Sequence, residues 1–301
     1  MRNATQPLAR LLFDCAMAVV AEMPAAPEES ARLRAERHRD YAIKTWRYLR
    51  LAMVALVVGL LVAVVYEWRE VPRHCVQTSI SAYYYTPVRG YFVGALLSIG
   101  TCLFCLKGNT RRDDLLLNLA GICAAVVALV PTPDAGSCTS RPATIDDRAV
   151  DIANNVTVLV AVGLFALVVL AMIWVARRPR PRPRPMYVAG ALVWVPAALI
   201  FEADRDAFMG SAHDVAAYSM FAFILGVVGL NACALRAIRS WHWYGYVLVF
   251  VAMLLSAAII LPAGLVWGWG HWVIGIETAF ISLFAGFWAI QTAELWDEGL
   301  R

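Results

Sequence analysis

Residues 51–66 read LAMVALVVGLLVAVVY, sixteen positions without a charge. As a helix this run rises about 24 Å, short of the ~30 Å hydrocarbon thickness of a bilayer, so flanking residues must complete a crossing. On one flank stand Arg32, Arg34, Arg37, Arg39, Lys44, Arg47 and Arg50; on the other, 67–86 is a polar connection. Basic residues are retained on the cytoplasmic side, so the run reads as a first span entered from the cytoplasm.

The rest of the chain repeats that pattern. Hydrophobic residues make up 61% of 301 positions and charged residues only 16%, well under the quarter of a soluble domain. Seven further apolar runs cover 87–106, 115–130, 152–176, 187–201, 215–235, 246–267 and 272–291. Lys and Arg alternate with them: seventeen fall in 32–50 and the even-numbered connections, against six in the odd-numbered connections and at Arg89 just beyond the first of them. The expectation is an all-α, polytopic membrane bundle of eight transmembrane helices with both termini cytoplasmic. Its parts are a charged helical segment at 1–47, the bundle at 48–296 and a tail at 297–301. The net charge of +4 is a sidedness signal, and the basic loops lack the aromatic interleaving of a nucleic-acid site.

Chemistry concentrates where 78–94, TSISAYYYTPVRGYFVG, turns from a polar loop into a span. Thr86 before Pro87 has the form of an N-cap with proline at the first helical position. On the expected topology Ser79, Ser81, Tyr84, Tyr85, Asp151, Asn155, Glu202, His213, His271 and Glu277 all lie in the outer half of the bundle or at its mouth. Glu277 is five residues past Trp272, deep enough in an apolar helix to need a partner. His213 beside Asp214 opens the sixth run, where Ser211 and Asp214 resemble a capping box.

Two readings follow from these residues. In one, an outward-facing polar cavity binds a lipid-like or small amphipathic ligand, and the protein is a scaffold, receptor or carrier. In the other, His213 with Glu277 or Asp151 holds zinc and activates water against a lipid amide or ester, with Ser81, His213 and Glu277 as catalytic candidates. Cys75 and Cys138 fall in two outer connections, an oxidising side that permits a disulfide between them. Cys102 and Cys105 form a CxxC inside a span, where they read as small apolar packing residues. Leu8, Leu11, Leu12, Cys15 and Val19 recur at helical spacing and predict an amphipathic helix against membrane lipids or a protein partner. RRPRPRPRP at 177–185 predicts an extended strut, since alternate prolines cannot continue a helix.

The runs SISAYYYTPVRGYFVGAL, DDLLLNLAG and VALVPT resemble a family of uncharacterised bacterial multi-spanning membrane proteins, which implies a place in the bacterial cytoplasmic membrane. A more distant similarity is to the superfamily of transmembrane hydrolases that includes alkaline ceramidases and the progestin and adiponectin receptors. That similarity implies a zinc site in which Ser81 matches the family serine, Asp114 or Asn118 the acid, and His213 a histidine. The chain departs from that pattern in having no HxxxH and eight apolar runs where the superfamily has seven spans.

Overall fold

The computed structural model describes residues 27–71, 74–136, 138, 145–176 and 185–298. The amphipathic segment before Pro24 and most of the Arg-Pro run lie outside the described residues. The chain divides into two compact units, Met1–Thr45 and Trp46–Arg301. In the first unit, the described residues belong to the start of one long helix, α1 (Pro27–Glu70).

Among the described residues every regular element is helical. After α1 come a 3₁₀ turn (Ser81–Tyr85), α2 (Arg89–Cys105), α3 (Arg111–Leu129), α4 (Ile145–Ala176), α5 (Pro185–Ala203), α6 (Arg205–Ala234), α7 (Trp241–Leu265) and α8 (Trp272–Glu294). Five stretches are long and apolar enough to cross a bilayer: Glu36–Glu70, Ile152–Ala176, and the whole of α6, α7 and α8. The chain is thus compatible with an integral membrane protein. The eight crossings expected from the sequence are matched by length in five. Of the rest, α2 has 17 residues, the apolar part of α5 is Gly190–Ala203, and α3 spends its first turn on Arg111, Arg112, Asp113 and Asp114.

The shortness of α3 has a physical explanation in its position. It packs along both α2 and α6, and Leu117, Ala120, Cys123, Ala124, Val127 and Ala128 are buried in the main core. A helix surrounded by protein need not match the bilayer, because its ends are answered by neighbours rather than by headgroups. Contact with α2 is backbone to backbone: a Cβ on Gly100 would lie 2.9 Å from the Gly121 carbonyl oxygen, and one on Gly121 2.8 Å from that of Gly100. Gly94 on the same helix has open space where a Cβ would sit.

On the first span, Tyr91 of α2 reaches α1 at Gly59, and its hydroxyl donates to the Leu56 carbonyl at 3.4 Å. At the other end of that span Arg47 lies over the Trp296 ring at 4.7 Å and pairs with Asp297 at 3.3 Å. Exposed aromatics mark two levels: Tyr48, Trp241, Tyr244 and Trp296 at one end, Tyr66, Trp68, Trp267 and Trp269 at the other. Tyr48 and Tyr66 are separated by about 27 Å along α1, close to a hydrocarbon thickness, as interfacial belts require.

Two helix starts differ from the sequence expectation. α2 begins at Arg89 rather than Pro87, because the Thr86 hydroxyl turns back to donate to Tyr83 O at 2.8 Å and accepts from Val88 N at 3.2 Å. α6 begins two turns before the suspected capping box, with Asp204 as N-cap accepting from Ala207 N at 3.0 Å. His213 is therefore well inside the helix and 2% exposed.

Candidate functional site

The polar residues gather at the end of the bundle that carries the disulfide. Cys75 and Cys138 are bonded with a Cα–Cα distance of 5.7 Å, closing a loop of 63 residues. Beside it the two connections are stitched further. Thr78 Oγ1 donates to Asp134 at 2.8 Å, and Cys138 N donates to the side-chain oxygen of Gln77, which is 1% exposed. Gly136 sits between them with φ +74°, where a Cβ would collide with the Gln77 carboxamide; only glycine meets both demands.

From there the chain drops into the bundle. Ile80, Ser81, Ala82, Tyr83 and Tyr84 are all buried, so the segment expected to line a polar mouth fills it. A buried turn needs its amides answered from elsewhere. Ser79 Oγ accepts from Ala82 N at 2.9 Å. Glu277 supplies the rest from α8: one carboxylate oxygen accepts from Ile80 N, the other from Ser81 Oγ at 3.1 Å. The exchange is reciprocal, because Thr78 O accepts from Ile274 N at 3.0 Å. That bond answers a first-turn amide of α8, whose N-cap His271 makes no side-chain cap. Glu277 and the 78–82 segment thus clamp each other.

A second set surrounds the end of α3. Because that helix stops short of the surface, its last carbonyls face protein and need donors. Asn155 Nδ2 of α4 donates to Leu129 O at 2.9 Å, His213 Nδ1 of α6 to Val130 O at 2.6 Å, and Tyr85 OH to Thr132 O at 2.8 Å. A carbonyl only accepts, so His213 Nδ1 carries a proton and donates it. Tyr84 completes the band: its hydroxyl accepts from Arg89 at 2.7 Å while the guanidinium lies 4.3 Å from its ring centre. Tyr83 is 2% exposed. Its phenol is held above the ordinary value of 10.0, first by burial, against the pull of the Gln77 backbone and with the help of the Glu67 charge.

The structure therefore brings Ser79, Ser81, Tyr84, Tyr85, Asn155, His213 and Glu277 to one end, joined through the 78–85 segment and the end of α3. Glu202 is exposed in the last turn of α5, and His271 is exposed at the start of α8. Asp151 belongs to α4, and its side chain lies outside the described residues. Among the described residues no three His, Cys, Asp or Glu side chains come close enough to share a metal ion. Gln77 and Thr132 are members of the band that residue-by-residue reading passed over; their only sequence signal is their nearness to Cys75 and Pro131.

The opposite end carries a smaller polar node. Asn231 Oδ1 accepts from Asn109 at 3.1 Å and from Gln291 at 3.4 Å, tying α6, α8 and the α2–α3 connection. Thr110 and Asp113 form a reciprocal capping box at the start of α3. Cys102 and Cys105 are free thiols, the first buried and the second exposed. No protein-family model, curated protein or solved structure matches the chain.

Proposed function

We propose that this protein is a multi-pass membrane scaffold, receptor or carrier for a lipid-like or small amphipathic ligand, with both termini in the cytoplasm and the disulfide end outside. The observation that carries this reading is the engagement of the suspected reactive groups. His213, Asn155 and Tyr85 hold the last carbonyls of α3, and the Ser81 hydroxyl points at Glu277 rather than at an imidazole. Groups so committed stabilise a closed cap. A hydrolytic reading needs Ser81 or a metal-bound water presented to substrate next to a base; the base that Ser81 touches, Glu277, is tied to the Ile80 amide, and Ser81 is itself buried.

The cytoplasmic assignment rests on the distribution of Lys and Arg, and the outer assignment on the disulfide. Elemental analysis combined with topology mapping tests the proposal. The expected result is no stoichiometric zinc, a reporter at the carboxyl terminus facing the cytoplasm, and thiol reagents that do not cross the membrane reaching Cys75 and Cys138 after reduction. One zinc per chain that is lost in His213→Ala would overturn it in favour of the zinc hydrolase, and a carboxyl terminus outside would overturn the topology.

A further inference from the structure

Away from the polar band, α3, α4 and α5 leave a cavity of about 330 Å³ between them, within the ~300–1,000 Å³ range of small-molecule sites. Its wall along α4 runs from Val156 to Leu170. Fourteen residues of helix make that roughly 21 Å, longer than one leaflet's share of the ~30 Å hydrocarbon layer. The lining is aliphatic and aromatic except at two side chains, Asn118 of α3 and Trp194 of α5. Both have hydrogen-bonding capacity left over. Asn118 is 5% exposed and spends its Nδ2 on Asp114 O, while its Oδ1 accepts no bond among the described residues. The Trp194 indole N–H is buried with no acceptor, and its edge faces α4 at Gly163, where a Cβ would collide with it.

We infer that this cavity is a binding site for one long hydrocarbon chain bearing a hydroxyl group. The length and apolar wall suit a single chain drawn from the bilayer. A hydroxyl can also donate to Asn118 Oδ1, the acceptor that the wall leaves unanswered. A plain alkane or a capped ether leaves the amide oxygen unanswered, and a carboxylate would put a charge into an apolar wall.

This inference rests on the membrane reading of α4 and α5 and is tested separately from it. Purified full-length protein, stripped of lipid in detergent, is titrated with 1-hexadecanol, its methyl ether and hexadecane, and bound molecules are counted by native mass spectrometry. The expected result is one hexadecanol per chain, bound about tenfold tighter than the ether, the worth of one good hydrogen bond. Asn118→Leu should erase that preference while keeping the chain. Ala125→Phe, which fills the cavity from α3, should weaken all three ligands at least about tenfold. Ala198→Phe, filling it from α5, carries the same test where the first variant does not fold. No one-to-one adduct, equal binding of alcohol and ether, undiminished binding in a folded filled variant, or a two-chain species without adduct would each overturn the site. A failed topology map would instead overturn the membrane reading beneath it.

Discussion

The central helix α3 meets two different surroundings. Its C-terminal end is closed by donors from three other elements, Asn155, His213 and Tyr85, and roofed by a disulfide-linked pair of connections. Its flank toward α4 and α5 is a loose apolar cavity with two unmatched polar atoms. The contrast shows which demand is strict in a membrane interior. Unanswered carbonyls must be bonded whatever the cost in topology, whereas apolar space can be left for hydrocarbon to fill. Polar residues at the closed end thus answer the last carbonyls of α3 and the amides of the buried 78–82 turn.

If the closed end is the rigid one, damage there should be large. Reducing the Cys75–Cys138 bond, or replacing both by Ser, should lower stability by about 4 kcal/mol for a loop of this length, read from denaturant unfolding in detergent with and without reductant. Glu277→Ala strands the buried Ile80 amide and should cost about 3 kcal/mol; Glu277→Gln, which keeps one acceptor, should cost about half as much. His213→Ala leaves the Val130 carbonyl unanswered and should cost about 2 kcal/mol, with His213→Gln recovering part of it through its amide donor. A change under about 0.5 kcal/mol at either site would place it outside the clamp.

The flank should behave oppositely. In lipid-free protein, Trp194→Phe removes an indole N–H that has no partner, so unfolding should shift by no more than about 0.5 kcal/mol in either direction. A loss of several kcal/mol would mean that the flank is packed as tightly as the cap. The smallest effect belongs to Tyr83. Its phenol stays protonated in the fold beyond its ordinary 10.0, so the unfolded chain loses that proton first and stability falls as pH rises above that point. Below pH 10 the contribution is fully present. Thermal unfolding followed upward through pH 10 should therefore decline less steeply in Tyr83→Phe.

Much of this was legible in the sequence, and the failures are instructive. The disulfide followed from compartment reasoning alone, because Cys75 and Cys138 are the two cysteines in connections expected on the outer side. The need of Glu277 for a partner was readable from its depth, but not that the partner would be a backbone amide 197 residues away. The role of His213 was hidden for the same reason: its acceptor is a main-chain carbonyl 83 residues earlier, and every residue type offers one. Local signals misplaced the starts of α2 and α6 because Thr86 and Ser211 are polar in the right register, while the Thr86 hydroxyl turns back to Tyr83 and Asp204 caps α6 two turns earlier. Glycine spacing likewise could not separate Gly94 from the Gly100–Gly121 contact, since it records small size and not which face meets a neighbour.

The most direct measurement is the ¹⁵N spectrum of ring-labelled histidine in the purified protein, with His213 assigned by its absence from His213→Gln. The expected result is a neutral ring with the proton on Nδ1, unchanged when zinc is added, as a donor to the end of α3 requires. A proton on Nε2, or an His213 signal that moves with one equivalent of zinc, would show the imidazole free for chemistry and contradict its place in the cap.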